Sequence, residues 1–487
     1  MEIKNLKVVE KMKLYNDYWD LRKLVAGIIP RRTQLETLEK QKGLVKEKGR
    51  KVNYQEFSFE KDQYEIKQRL LNKEEITSFL EVSLRAAHCP MPLNADVWDG
   101  LYCSYGCKYC FADSFRSSLY TSFFDNSKSI GLRSCKPSYF REEMDKLMKF
   151  RGKKIDGPEL NKAISLQIPI RLGIRFEDFL PIEAKSGVSL NFMQYLQEQN
   201  YPIMINTKSG LIGTEPYVRA LADNKAGAAV HMTMISSDDL LNKRLEPGAP
   251  PFLKRIEAAK ALTAAGVRVV ARIEPLMVFI NDTPEDVERW IKEVKGAGIK
   301  HITFDTYSFS ASSPGVQRQM EVMGYDFKRM FYLMSDSQWL GSLILGEFMK
   351  MMKAEGFSSS TFDFGNSPIN NMDICCEVED LYTSKGGGFS WGNNIIAARF
   401  IQKNTPNPVT WAQYNSFVEE RGGWLSESLM NDVRLSWNLI GNPAYFPDWS
   451  AGIEPMGMDF EGNMMWVFKP EADFRLELLE NLVRIAG

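Results

Sequence analysis

Residues Pro202–Met234 read PIMINTKSGLIGTEPYVRALADNKAGAAVHMTM. A short apolar run, PIMINT, ends at Thr207 and is followed by Lys208 and Ser209. An amphipathic stretch, Glu215–Asn224, comes next, and Gly227–Met234 is a second apolar run. Strand, helix and strand in this order make a βαβ unit, whose strands run parallel because the helix carries the chain back to the starting edge. The unit repeats outward. Leu166–Ile174 reads as a strand and Val188–Glu198 as a helix on one side. On the other, Pro251–Ala265 reads as a helix, Val267–Pro275 as a strand, and Lys300–Thr306 as a strand. Thr283–Ala297, between the last two, is a helix opened by a Thr283 cap and Pro284. With a strand near Val97–Tyr102, about six strands alternate with helices. The expected fold is α/β, a partial (βα)6 TIM-like barrel, with chemistry gathered at the C-terminal ends of its strands.

Outside this region the pattern changes. Residues 1–88 are expected to form an N-terminal helical, locally basic region, 89–310 the barrel, and 311–487 a C-terminal extension that packs on it. Arg31–Lys51 holds eight Lys/Arg against three Asp/Glu. That balance fits a solvated helical surface, or an arm that touches a polyanion. Ser335–Glu355 reads as one long helix whose methionines fill core space. Asp363–Asn394 is loop-like. Across 487 residues, 44% hydrophobic and 25% charged content excludes a disordered, collagen-like or low-complexity chain. Lys+Arg 61 against Asp+Glu 62 excludes a globally basic nucleic-acid coat, but not a local basic groove. No apolar run of about 18 residues occurs, so no membrane span is expected. The opening MEIKNLKVVEKMK lacks an apolar core and a cleavage site, so the cytoplasm is the expected compartment.

Seven cysteines are present, and three of them sit within eight positions: Cys103-Ser-Tyr-Gly-Cys107-Lys-Tyr-Cys110. An odd number at irregular spacing does not describe a disulfide framework. The C-x3-C-x2-C spacing lets one loop present three thiolates to a small iron–sulfur cluster. A cubane [4Fe–4S] cluster has four corners, so three ligands leave one iron open to chemistry. The competing reading is zinc, which more often takes two separated cysteine pairs; no second pair of that kind exists here.

With Tyr109 before its last cysteine, this motif resembles the signature of radical S-adenosylmethionine enzymes, and the βα series resembles their partial barrel. Further phrases resemble one branch, the spore photoproduct lyase and DNA-repair-photolyase-like proteins: Phe176–Glu183 (FEDFLPIE), Thr207-Lys208-Ser209, Leu245–Pro250 (LEPGAP) with Arg255, and Ala271–Pro275 (ARIEP) with Asn281-Asp282. The resemblance spans about 200 residues, from Cys89 to Tyr307. It implies a [4Fe–4S] cluster held by Cys103, Cys107 and Cys110. It also implies S-adenosylmethionine chelated at the open iron and split to a 5′-deoxyadenosyl radical that removes a hydrogen atom from substrate. Lys208 is then expected to meet the cofactor carboxylate, with Ser209, Arg272, Tyr109 and Glu183 in the same pocket. On the residues alone the alternative for Lys208 is a surface lysine, and for Arg272 an ion pair with Glu274 or Glu246.

The chain also departs from the branch. The lyases carry a hydrogen-donating cysteine after the second strand; between Arg175 and Leu180 there is none. Where the branch has Arg-Asp after Thr-Lys-Ser, this chain has Thr214-Glu215. Cys375 and Cys376 are the alternative donors, and hence the expected catalytic cysteines; otherwise they are small buried hydrophobes. The resemblance implies a nucleobase substrate, above all thymine or a modified thymine in DNA, flipped out or single-stranded so that a radical can reach it. Trp391, Trp411, Trp424 and Trp437 are read either as stacking faces for bases or as core. A peptide or free small molecule is the second substrate class, and a non-enzymatic iron–sulfur protein the third reading. The expected partners are DNA and an electron donor such as flavodoxin or ferredoxin.

Overall fold

The computed structural model describes residues 17–28, 69–70, 80–82, 93–99, 103–110, 133–153, 157–307, 338–361, 408–420, 427–439 and 453–468, with a few isolated positions besides. Eight strands build its central sheet: β1 (Leu80–Val82), β2 (Leu93–Ala95), β3 (Ile170–Leu172), β4 (Ile203–Thr207), β5 (Ala228–Thr233), β6 (Arg268–Leu276), β7 (His301–Thr306) and β8 (Ser358–Thr361). They lie side by side in chain order, with β1 and β8 at opposite edges. The seven strands β2–β8 are parallel, and β1 joins β2 antiparallel. The sheet is open. Its helices include α1 (Tyr18–Ile28), α2 (Pro137–Met148), α3 (Glu159–Ser165), α4 (Val188–Glu198), α5 (Glu215–Ala222), α6 (Asp239–Leu245), α7 (Phe252–Ala264), α8 (Pro284–Gly296) and α9 (Gln338–Ala354). Helix α8 starts as its sequence requires: the Thr283 side chain accepts from the Asp286 N–H, and Pro284 occupies the first turn.

Three strands differ from expectation, the first being β1 (Leu80–Val82), which lies within 1–88, expected to be helical. The first parallel strand is Leu93–Ala95, upstream of the expected Val97–Tyr102. The chain leaves the sheet there because Asp178 Oδ1 accepts the N–H groups of Val97 and Trp98, both at 3.0 Å. Trp98–Asp99 pairs instead with Arg133–Ser134 in a small separate sheet. The seventh parallel strand, β8, is the polar run Ser-Ser-Ser-Thr, which carries no apolar signal.

Side chains alternate between the two faces of each strand. One set, including Ile203, Ile205, Val230, Met232, Val269, Ala271, Ile302 and Phe304, packs with the helices into the hydrophobic core. The other set is largely polar: Asn94, Arg171, Asn206, His231, Thr233, Arg272, Glu274, His301 and Thr303. Neighbours on this face bond across strands. Arg171 donates to Asn94 at 2.9 Å and Thr303 donates to Glu274 at 3.0 Å, while within β6 Arg272 pairs with Glu274. A parallel sheet covered on both faces would show near-continuous apolar strands. This one reserves a face for polar contents.

The N-terminal helix α1 is fastened to the sheet side. Tyr18 donates to the buried Asp282 at 2.7 Å, Arg22 pairs with the same carboxylate at 2.9 Å, and the Arg22 guanidinium lies 4.8 Å from the Phe279 ring centre. Toward the C-terminus, α10 (Trp411–Glu420) and α11 (Glu427–Leu439) meet the hairpin Ile453–Met458 with Met464–Phe468. Trp411 and Trp437 are buried against Tyr414, and the Trp437 indole donates to Met464 O at 2.8 Å. Both are therefore core residues and offer no face to a base; Trp391 and Trp424 lie outside the described residues. No described helix is long and apolar enough to cross a membrane.

His301 sits on the polar face with Nδ1 2.8 Å from the Ser358 hydroxyl and Nε2 2.9 Å from that of Ser360. Burial, and then the nearby Arg268 charge, push its pKa down to about 4. The unfolded chain takes up this proton near pH 6.5, so the stabilisation from neutral His301 is complete above that pH and is lost as pH falls toward 4. Urea midpoints at pH 7 and pH 4.5 should show the wild type losing about 2 kcal/mol more than His301→Gln. Equal losses in the two proteins would contradict this.

Candidate active site

Cys103, Cys107 and Cys110 lie half-buried on a turn-rich loop, with no disulfide between them. Hydrogen bonds from Gly106 N to Cys103 O (3.1 Å) and from Cys110 N to Cys107 O (3.3 Å) form its two turns. Gly106 takes φ +56°, which a side chain would resist. The loop does not stand alone. The segment after α6, Leu245–Pro250, runs along it, with Lys108 N donating to Leu245 O at 2.8 Å and Gly248 N to Tyr105 O at 3.0 Å. A Cβ on Gly248 would fall 2.1 Å from Ser104 O, so only glycine permits this approach.

Glu246 lies at the centre of the contact and is fully buried. Its carboxylate accepts from the Tyr109 hydroxyl and pairs with Arg255, and Lys208 Nζ is 4.0 Å away. Burial alone would raise its pKa, but Arg255 and Lys208 overcome that and hold it below the usual carboxylate range. The buried Arg255 spends its remaining donors on Pro250 O and Thr233 O, both at 2.9 Å. Lys208 Nζ also lies 5.6 Å from the centre of the Tyr109 ring. Burial disfavours its charge, yet Cys107 and Glu246 more than compensate and raise its pKa. Burial pushes the Cys107 thiol well up, against the pull of Lys208. A metal ion bound at the thiolate would reverse that balance.

The acids of FEDFLPIE brace the strand ends. Glu177 accepts from the Thr207 hydroxyl (2.6 Å), Lys208 N (2.9 Å) and Phe179 N (3.1 Å), tying the loop after β3 to the end of β4. Glu183 accepts from the Trp98 indole (2.8 Å), Leu190 N (3.0 Å) and the Tyr217 hydroxyl (3.2 Å). These partners are packing elements rather than the cysteine loop. Ser209 caps the short turn Gly210–Gly213 by accepting from Leu211 N at 3.2 Å. Its side chain also lies near the Tyr105 hydroxyl of the cysteine loop and partly offsets the rise in that group's pKa caused by burial. Arg272 lies on the polar face with Glu274 as its ion-pair partner, as one reading of the sequence had it. The structure thus gathers Cys103, Cys107, Cys110, Tyr109, Lys208 and Ser209 around one loop. Cys375 and Cys376 lie outside the described residues. Glu246, Arg255, Glu177 and Tyr105 were not singled out as site residues, although all four belong to quoted phrases.

The donor set suits a cluster. Among the described residues no three His, Cys, Asp or Glu side chains converge closely enough to hold a single metal ion. A cubane spreads its thiolates over separate corner irons, so its ligands need not converge on one point. Two residues before Lys208 on β4, Asn206 Oδ1 is buried on the polar face with no hydrogen-bond partner among the described residues. A buried acceptor left unpaired costs about 1–3 kcal/mol, which a ligand donor would recover.

No family model matches the chain. It is similar to uncharacterized proteins of Mycobacterium tuberculosis and Mycobacterium bovis, each 20% identical over 202 residues, covering 41% of this chain and 55% of the relative. The chain thus spans about half the length of the curated relatives it matches. Among solved structures, it is similar to a mutant spore photoproduct lyase (13% identity, 52% of this chain and 64% of that one, TM-score 0.34). Another is spore photoproduct lyase with bound AdoMet and dinucleoside spore photoproduct (13%, 48% and 61%, TM-score 0.33). A third is Streptococcus suis SuiB bound to S-adenosylmethionine (15%, 55% and 50%, TM-score 0.35).

Removing the central carboxylate tests the bracing directly. Glu246→Ala leaves the Arg255 guanidinium buried without its counter-charge and should destabilise the protein by about 3–5 kcal/mol in urea unfolding. The double substitution Glu246→Ala/Arg255→Met should recover part of that loss. A single substitution that costs under about 1 kcal/mol would show that the pair does not hold the loop.

Proposed function

We propose that this protein is a radical S-adenosylmethionine enzyme. The observation that carries the reading is the three-cysteine loop held by Glu246 beside Lys208, at the C-terminal ends of parallel strands and next to a polar sheet face. Cys103, Cys107 and Cys110 would hold a [4Fe–4S] cluster. When bound, that cluster supplies an open iron for S-adenosylmethionine and an electron that splits its sulfonium to a 5′-deoxyadenosyl radical.

The chain's own residues bind, orient and shield. Lys208 keeps its charge and meets Glu246 only loosely, which leaves ammonium donors for a carboxylate. Arg255 is fully engaged and serves to hold Glu246 charged. Tyr109 packs under Lys208 and fixes the loop's last turn. Asn206 offers an acceptor, and Thr233, Thr303 and the Arg272–Glu274 pair line the same face. Paired donors and acceptors on a water-poor surface suit a planar hydrogen-bonding group, and we take a nucleobase in DNA, thymine or a modified thymine, as the substrate. Cys375 or Cys376 is the proposed hydrogen donor, and the missing cysteine between Arg175 and Leu180 favours modification or rearrangement of the base over dimer repair.

The test is anaerobic reconstitution with iron and sulfide, reduction, and addition of S-adenosylmethionine, following 5′-deoxyadenosine by mass spectrometry. Wild type should form it and Cys107→Ala should not. Lys208→Ala should keep its iron while the S-adenosylmethionine concentration for half-maximal rate rises about tenfold. DNA of varied base composition, rather than peptide pools, should take part in deuterium exchange with the nucleoside. A fully clustered protein that yields no 5′-deoxyadenosine would overturn the enzymatic reading and leave an electron-transfer or sensing protein.

A further inference from the structure

Charge is spread unevenly along the chain. From Pro408 to Gly487 the sequence holds twelve Asp/Glu against five Lys/Arg, within a chain whose net charge is only -1. The same stretch exposes apolar side chains. Among the described residues six large ones are exposed, and Leu435, Met456, Met458 and Phe460 are four of them. The last three sit on one hairpin, where Met456 is 53% exposed, Met458 66% and Phe460, in the turn, fully. Glu454 and Glu461 are exposed on the same hairpin. Arg434 brings one positive charge nearby, 4.0 Å from Glu461, against the charges of Glu454, Asp459 and Glu461.

The hairpin holds these side chains out stiffly. Asp459 Oδ1 accepts from Glu461 N and Asn463 N, both at 2.9 Å, and Asp459 N donates to Asn463 O at 2.8 Å. At the root, Trp466 is buried, and its indole donates to Trp437 O at 3.0 Å. A methionine and phenylalanine surface left in water adds nothing to the fold, and a stiff one loses little entropy on binding. The open edge of Ile453–Met458 is closed to a further strand. Trp466 turns its N–H and C=O to Val409, so its partner Pro455 faces that edge, where it has no N–H to offer. The ladder also shifts register between Pro455 and Met458, with Gly457 at φ +101°. A partner therefore engages side chains rather than extending the sheet.

We propose that this hairpin tip, with Met456, Met458 and Phe460 as anchors and Glu454, Asp459 and Glu461 around them, binds a basic amphipathic helix of a partner protein. Methionine surfaces adapt to the apolar stripe of such a helix, and the acids face the Lys/Arg that flank the stripe. An apolar centre with a charged rim is the anatomy of a protein interface, and the rim selects a partner of opposite sign. DNA and anionic lipid carry the sign of the hairpin itself and are repelled. A second copy would bring the same acids to the same place. Nothing in this inference depends on a cluster at the cysteine loop.

The experiment uses the reconstituted full-length protein and, as probe, a fluorescein-labelled amphipathic helix of leucine and lysine, followed by anisotropy. Wild type should bind it, and more weakly as salt is added. A leucine and glutamate peptide of the same pattern should not bind. M458S/F460S should bind the lysine peptide about tenfold or more weakly, and E454K/E461K likewise at low salt. Both variants should keep the wild-type urea midpoint, and Cys107→Ala should bind the peptide as wild type does. Affinity unchanged in the two double variants would overturn the assignment. So would a lowered urea midpoint in M458S/F460S, which would make these side chains part of the packing. So would loss of binding in Cys107→Ala, which would place the contact at the cysteine loop. A DNA duplex, a phosphatidylglycerol vesicle or a second copy in sedimentation, bound by wild type and released by M458S/F460S, would overturn it in favour of that partner.

Discussion

A carboxylate taken out of water must be paired, and the way Glu246 is paired organises the rest of the site. Its three partners come from three parts of the chain: Tyr109 from the cysteine loop, Lys208 from the end of β4, and Arg255 from α7. None of these contacts can move independently. Arg255 is anchored by two carbonyls, Lys208 N by Glu177, and the cysteine-loop backbone by Leu245 at Lys108 and by Gly248 at Tyr105. One buried charge thereby holds a loop whose Tyr105 also packs into the hydrophobic core. The same charge, together with Cys107, favours the cationic form of Lys208, so the group that braces the loop also supports the ligand contact proposed for Lys208.

The second constraint is the two-faced sheet. Helices cover one face with an apolar core, and the other face keeps amides, hydroxyls and paired charges at alternate positions. Burying that many polar groups is costly unless they bond one another or a ligand. Arg171 with Asn94, and Glu274 with Thr303 and Arg272, show the first solution. The unpartnered Asn206 Oδ1 points to the second.

Much of the fold was legible because its helices carry clear amphipathic periods and caps, as Thr283-Pro284 does for α8, and because βα alternation admits few topologies. β8 was not legible, because Ser-Ser-Ser-Thr becomes a strand only through pairing with β7. The start of β2 was missed because Asp178, eighty residues away, ends that strand by taking two N–H groups. In the site, the cysteine spacing pointed to the loop and the Thr-Lys-Ser phrase to Lys208. Glu246 was overlooked as a hub because its role depends on three partners remote in sequence. The polar face did leave a signal, since AAVHMT, VVARIE and HITFDT each place polar residues at alternate positions within an apolar run, and PIMINT sets Asn206 in register with His231. Reading those strands as simply apolar hid it.

The central claim is that Cys103, Cys107 and Cys110 hold a four-iron cluster with one iron left for S-adenosylmethionine. Electron paramagnetic resonance of the reconstituted, reduced protein, read with its iron content, tests this most directly. The account expects about four irons per chain and a reduced-cluster signal whose g values shift when S-adenosylmethionine is added. A cluster signal that does not respond to S-adenosylmethionine, or a protein that binds a single zinc in place of iron, would contradict it.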